Sequence, residues 1–250
     1  MMTFPIIALY IIQLVGWTEA WLFAGLIILI IFFPLCLYLL KDHSRIHKEF
    51  LKKTNELTIQ KNWTRKDVII DKNFYVYLPI SIAPPFISTG LIFHQVFIIT
   101  NKGWGMELLA SSYIGLGIFS IIGLFIGGLL IDKVDTKKAI PYYLFPMLFG
   151  ILSMMLFEHS IYIFLYMALL GITNGVWLPF TGSLWAELYG VKNLGAIRAL
   201  MHACMVFASA LSPVILGLII DYKFGTFTIG LVCVIIILFS SYFPFVFRNQ

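Results

Sequence analysis

The sequence predicts an all-α polytopic membrane protein, and three observations lead there. Of the 250 residues, 60% are hydrophobic and only 12% are Asp, Glu, Lys or Arg, against about 25% charged residues in an ordinary soluble domain. The apolar residues gather in runs long enough to cross a bilayer, which takes about 20 residues per helix. Most connections between those runs are short, as in antiparallel helical hairpins. This composition excludes a disordered chain and a secreted disulfide scaffold. Cys36, Cys204 and Cys233 each lie inside apolar stretches and read as buried free thiols.

The elements follow in order. Residues 1–15 are apolar but too short to span, and they lack the basic region and small-residue cleavage site of a signal peptide. Gly16-Trp17 breaks this stretch, and 18–40 gives the first full span. Residues 41–73 are the one extended polar segment, holding nine of the 17 Lys and Arg. Apolar runs then recur at about 74–100, 107–131, 139–157, 161–187, 197–221 and 226–247, which makes six spans. The expected division is therefore 1–40, then a loop at 41–73, then a six-helix bundle at 74–250. Glu19 and Glu107 open helices, where the macrodipole favours an acid.

Charge placement orients the bundle. With the 41–73 loop in the cytoplasm, all but two of the 17 Lys and Arg lie inside, leaving Lys102 and Lys223 outside. The positive-inside rule thus places the loop and the C-terminus in the cytoplasm of a plasma or inner membrane. The net charge of +5 is then a topology signal with some attraction to anionic lipid. It does not indicate a nucleic-acid partner.

The sharpest local pattern is Gly128-Leu-Leu-Ile-Asp132-Lys133-Val-Asp135-Thr136-Lys137-Lys138. Asp132 falls at a helix C-terminus, where the macrodipole disfavours an anion, so it needs a lysine or another helix N-terminus as partner. Gly127 and Gly128 would let another backbone come close. The plainer reading is that Asp132 and its lysines mark the membrane boundary. Gly128-Leu-Leu-Ile-Asp132 also nearly repeats as Gly217-Leu-Ile-Ile-Asp221. The copies end on opposite sides of the membrane, as inverted three-helix repeats require.

The first pattern resembles the cytoplasmic-loop motif of the major facilitator superfamily, Gly-x-x-x-Asp-Arg/Lys-x-Gly-Arg/Lys-Arg/Lys. Gly128, Asp132, Lys133, Lys137 and Lys138 match, whereas Asp135 and Thr136 depart from it. Thr89-Gly-Leu-Ile-Phe-His94-Gln95, Trp185-Ala-Glu187-Leu-Tyr-Gly190 with Leu194-Gly195-Ala-Ile-Arg198, and Ser212-Pro213 through Gly217 to Asp221 look like its monocarboxylate and oxalate/formate branch. The resemblance implies a fold in which 74–250 is the C-terminal bundle and 1–40 a remnant of the N-terminal one, with a partial helix five and helix six. It implies a secondary transporter of a small solute working by alternating access, as symporter or antiporter. The loop motif would be the gating brace between bundles. Because little of the partner helix is present, an incomplete chain is expected. The alternative is a transport-inactive fragment, or a half-carrier that needs a missing N-terminal bundle.

Polar residues at membrane depth mark the candidate path, since unpaired polar groups are costly there. His94 and Gln95 lie near the outer end of the 74–100 run; His94 offers a route for a coupled proton, or bonds a neighbouring helix. Pro84-Pro85 and Gly90 should bend this helix and free carbonyls. Asn174, between Gly171 and Gly175, suits a solute contact or a helix bridge, and Trp177 an aromatic wall or core packing. Arg198 and His202 share a helix face. No cation lies at mid-depth in 107–131 or 197–221, which leaves the carboxylate-binding arrangement of that branch unsupported. No cofactor or metal site is indicated: His43 and His47 are the one pair at metal-ligand spacing, in a solvated basic loop. An intramembrane hydrolase is disfavoured, because no Ser/His pair converges and HExxH is absent.

Overall fold

A computed structural model describes residues 11, 12, 14–41 and 63–247. The stretch 1–10, most of the basic loop with His43 and His47, and Arg248 lie outside the described residues. The chain divides into two compact units, Met1–Lys61 and Asn62–Gln250.

In the first unit, α1 (Trp17–Leu40) is 24 residues of continuous helix, about 36 Å at 1.5 Å per residue. Gly16 precedes it at φ 88°, a left-handed conformation that turns the chain into the helix. The residues Ile28–Phe32 form a π-helical turn. Pro34, just beyond, supplies no N–H to the ladder, and the wider turn accommodates that gap.

The second unit begins earlier than the apolar pattern suggests. Within the stretch expected as a loop, α2 (Arg65–Ile70) is closed by a capping box: Thr64 and Asp67 each accept from the other's backbone N–H. Val68 on this helix is fully buried. Six membrane-length helices follow. These are α3 (Lys72–Phe93), continued by the short α4 (Gln95–Asn101), and α5 (Met106–Lys133). Next come α6 (Thr136–Ala139), joined through a 3₁₀ turn to α7 (Phe145–Leu156), and α8 (Tyr162–Tyr189). The last two are α9 (Leu194–Asp221) and α10 (Thr226–Phe247). With α1, seven helical spans among the described residues are long and apolar enough to cross a membrane.

The packing has an internal exchange rule. The principal partners are α5 with α8, α3 with α9, α7 with α8, α3 with α10, and α7 with α10. Exchanging the triplet α3, α5, α7 for α8, α9, α10 returns the same pairs. The two Gly-x-x-x-Asp copies end α5 and α9, which this exchange relates. The step between copies is 89 residues (128 to 217, 132 to 221). That same step takes Gly90 to Pro179 and Gly127 to Leu216. A Cβ on Gly90 would strike Leu216, and one on Gly127 would lie 2.8 Å from Pro179. The equivalent contacts thus put their glycine on opposite partners.

The tightest seam joins α5 and α8. Cβ atoms at Gly123 and Gly171 would collide with the backbones at Ile172 and Leu116, and one at Gly175 with the Ser120 carbonyl. Two interleaved Gly-x-x-x-Gly pairs therefore bring the helices into backbone contact, where dispersion replaces a hydrophobic drive that lipid does not supply. Gly128 differs from expectation: nothing lies within 4 Å of a Cβ there, because the seam faces Gly127 and the next residue points away.

Pro84 and Pro85 do not break α3, which runs through them to Phe93. Lacking N–H groups, they leave the carbonyls of Ile80 and Ser81 without their helical donors. Tyr143 O–H donates to the Ile80 carbonyl, and Trp177 Nε1–H to that of Ser81 at 2.9 Å. The helix is interrupted at His94, with φ −95° and ψ 15°.

Candidate functional site

The sequence-nominated polar residues form three separate groups in the second unit. At the α3–α4 junction, His94 Nε2 lies 2.8 Å from the Pro213 carbonyl of α9. A carbonyl only accepts, so Nε2 carries a proton. The ring packs beside Gly217, where even a Cβ would stand at ordinary contact distance, 3.5 Å. The adjacent Gln95 accepts from the Tyr113 hydroxyl of α5. The junction is therefore tied to α9 and α5 at once.

At mid-depth, α8 reaches α3 twice. Ser88 Oγ donates to Asn174 Oδ1 at 3.0 Å, and Trp177 donates to the Ser81 carbonyl as described. Both polar side chains thus bridge helices. The Asn174 amide N–H₂ has no partner among the described residues and remains able to donate.

The third group lies at the end of the bundle where α5 stops and α9 starts. A cleft of about 490 Å³ between α8 and α9 is lined by Arg198, His202, Gly182 and Trp185, among others. Arg198 Nη2 donates to the Gly182 carbonyl at 2.9 Å. Beside it, Asp132, Lys133, Asp135, Lys137 and Glu187 line a second, polar recess.

In that recess Asp135 caps α6 by accepting from the Lys137 backbone N–H at 2.9 Å. Thr136, fully buried, donates to Glu187 Oε1, which also accepts from Ser183 Oγ at 2.8 Å. The α5–α7 connection is thereby fastened to α8. Asp132 was expected to find a partner but makes no ion pair or hydrogen bond with a described residue. It is the penultimate residue of α5, at the water-facing rim where solvation replaces a protein partner. Lys133 and Lys138 likewise stand unpaired among the described residues.

Sequence reasoning passed over Thr136 and Glu187 as site members, seeing them only as a departure from one motif and a letter of another. A hydroxyl in a tight loop and an acid at a helix end were the available signal. It also passed over Lys102, whose side chain is only 6% exposed. Its ammonium donates to the carbonyls of Met155 and Phe157 and to Glu158 Oε1 at 2.8 Å. Trp104 Nε1–H donates to the Glu158 carbonyl, and Asn101 Oδ1 accepts from Thr226 at the start of α10.

The arrangement offers donors, acceptors and cations at three depths of a helical bundle, suited to contacting a solute in passage. No curated protein matches the chain. The family model of the Major Facilitator Superfamily matches residues 1–160, which spans α1, the polar segment and the helices through α7. With a match over more than half of its length on this set of membrane-length helices, the chain belongs to the Major Facilitator Superfamily, a family of membrane transporters of small solutes.

Proposed function

We propose that this chain serves secondary transport of a small solute across the plasma or inner membrane by alternating access, within the monocarboxylate and oxalate/formate-like branch. The observation that carries the reading is the inverted pair of three-helix units, the repeat nested in each half of transporters whose two halves rock around a midplane site. The path runs along the three polar groups. Asn174 and Trp177 stand at mid-depth, His94 and Gln95 towards the outside, and Arg198 and His202 towards the cytoplasm. His94 is the proton-coupling candidate in a symporter or antiporter. Gly128, Asp132, Lys133, Lys137 and Lys138 form the gating motif, and the distribution of Lys and Arg supports a cytoplasmic position for them.

The second reading is a fragment that needs a partner bundle. It is favoured by the use of Asn174 Oδ1 and Trp177 Nε1 in bridging α3, which leaves one bundle few groups to close a solute site alone. Uptake of a panel of labelled small solutes into vesicles separates the two, with the chain alone and with a co-expressed first bundle. Uptake by the chain alone supports the first reading, and uptake only with the partner supports the second. No uptake in either preparation removes the transport assignment. In whichever preparation transports, Asp132→Asn should lower uptake several-fold with insertion unchanged. Unaltered uptake would end the gating role.

A further inference from the structure

Where the chain enters the bundle, cations stand beside exposed apolar side chains. Arg65 and Lys66 open α2 and Lys72 opens α3, while Lys192 lies exposed in the turn between α8 and α9. On α2, Arg65 and Lys66 each have an isoleucine four residues on, Ile69 and Ile70, and such pairs share a helix face. Those isoleucines are 44% and 81% exposed. A helix that offers water both cations and bare aliphatic side chains suits the boundary between headgroups and hydrocarbon. Its level fits, because α3 is long enough to cross a membrane and begins directly after α2. We propose that a recess between α2 and the start of α9 seats the phosphate of an anionic phospholipid from the adjacent leaflet.

The recess holds about 420 Å³ and is lined by Thr64, Arg65, Lys66, Asn193 and Ala196, with no acid on its wall. Arg65 and Lys66 make no ion pair or hydrogen bond with a described residue, so their donors are available. The acids close by are engaged elsewhere. Asp67 accepts from Thr64, and Asp71 accepts from the Tyr189 hydroxyl at 2.9 Å. A guanidinium fork with an ammonium beside it meets the free oxygens of a phosphodiester in charge-assisted bonds. Ile69 and Ile70 then give the glycerol and upper acyl carbons an apolar contact that inorganic phosphate cannot use.

The walls are held in place by groups other than those two cations. Asn193 Nδ2 donates to the Trp63 carbonyl at 2.8 Å, tying the start of α9 to the residue before the Thr64 cap. The Trp63 ring meets Tyr189 edge-on at 5.0 Å, and Val68 anchors α2 in the core. Binding therefore does not have to order the helix that presents the cations. This separates the seat from the diffuse attraction of a basic chain to an anionic surface: it saturates, and it depends on named side chains. None of the residues assigned to the solute path or the gate takes part, so the seat stands whether or not the chain transports.

Equilibrium binding to the full chain in an uncharged detergent tests the seat, with dioctanoyl phosphatidylglycerol as probe and dioctanoyl phosphatidylcholine as control. Phosphatidylglycerol should bind saturably and phosphatidylcholine much more weakly. Arg65→Gln combined with Lys66→Gln should weaken phosphatidylglycerol about tenfold or more. Lys223→Gln, which removes an exposed cation at the far end of α9, should leave it unchanged. Neither Arg65 nor Lys66 bonds to a described residue, so the double variant should keep its thermal midpoint, and its lost binding is then not lost folding. Arg65→Gln alone repeats the test with one charge removed, and Ile70→Ser should weaken the lipid with both cations in place. Equal binding of the two lipids, an unchanged double variant, or an equal loss from Lys223→Gln overturns the proposal. Displacement of the lipid by an equal concentration of inorganic phosphate overturns it as well, since the site would then be indifferent to the lipid.

Discussion

Trp177 shows how a residue's role depends on a chemical need created elsewhere. Pro85 takes away the N–H that would meet the Ser81 carbonyl, and in hydrocarbon such a carbonyl has no water to turn to. The indole N–H of α8 fills that need, and Tyr143 does the same for the carbonyl released by Pro84. Trp177→Phe should therefore leave a buried acceptor unsatisfied and cost about 1–3 kcal/mol, seen as a lowered unfolding midpoint in detergent. In a Pro85→Ala background the restored backbone N–H reaches Ser81, so the same substitution should cost clearly less. Equal losses in the two backgrounds would refute this assignment of Trp177. The proline pair was legible in the sequence as a source of free carbonyls. The donors were not, because Tyr143 and Trp177 are distant in sequence and only packing brings them to α3.

The helices themselves were largely legible, since spans are set by runs of apolar residues and the bilayer admits few alternatives to a helix. Two misses have physical causes. Helix α2 carries Arg65, Lys66 and Asp67 and so has no apolar run. Its signature is the Thr64-x-x-Asp67 box, a local signal that hydropathy does not register. The interruption at His94 was not anticipated: the sequence pointed to a bend at Pro84-Pro85 and Gly90, where α3 stays helical and side chains from other helices meet the freed carbonyls. The glycine seam was legible from four-residue spacing, though not which glycines face it: Gly123, Gly127, Gly171 and Gly175 do, and Gly128 does not. Gly175→Ala, meeting the Ser120 carbonyl and the Leu124 amide, should force α5 and α8 apart and sharply reduce the folded yield and thermal midpoint. Gly128→Ala, with open space around it, should leave both within error. Comparable loss from both substitutions would mean that the seam is not the cause.

Across the whole second unit, the two ends of the bundle are built on different principles. At one end Lys102 uses its three protons on two carbonyls and Glu158, and Asn101 fastens the start of α10. That end is a set of interlocked connections in which Lys102 is neutralised and Lys223 stays exposed. At the other, Lys133 and Lys138 stand unpaired among the described residues and face solvent as free charge. Orientation follows the count of Lys and Arg on each side and not their later pairing with acids, and only Lys102 and Lys223 of the 17 lie at the first end. The orientation should therefore be strongly set, with the Lys133–Lys138 connection in the cytoplasm. Single cysteines test it once Cys36 and Cys204 are replaced by serine, Cys233 being fully buried. In intact cells a membrane-impermeant maleimide should label His159→Cys in the α7–α8 connection and spare Lys138→Cys, and both should label after lysis. The reverse pattern would turn the bundle over and move the proposed gating motif to the outer face. Arg198 and His202, which lie at the same end of the bundle, would then open to the outside.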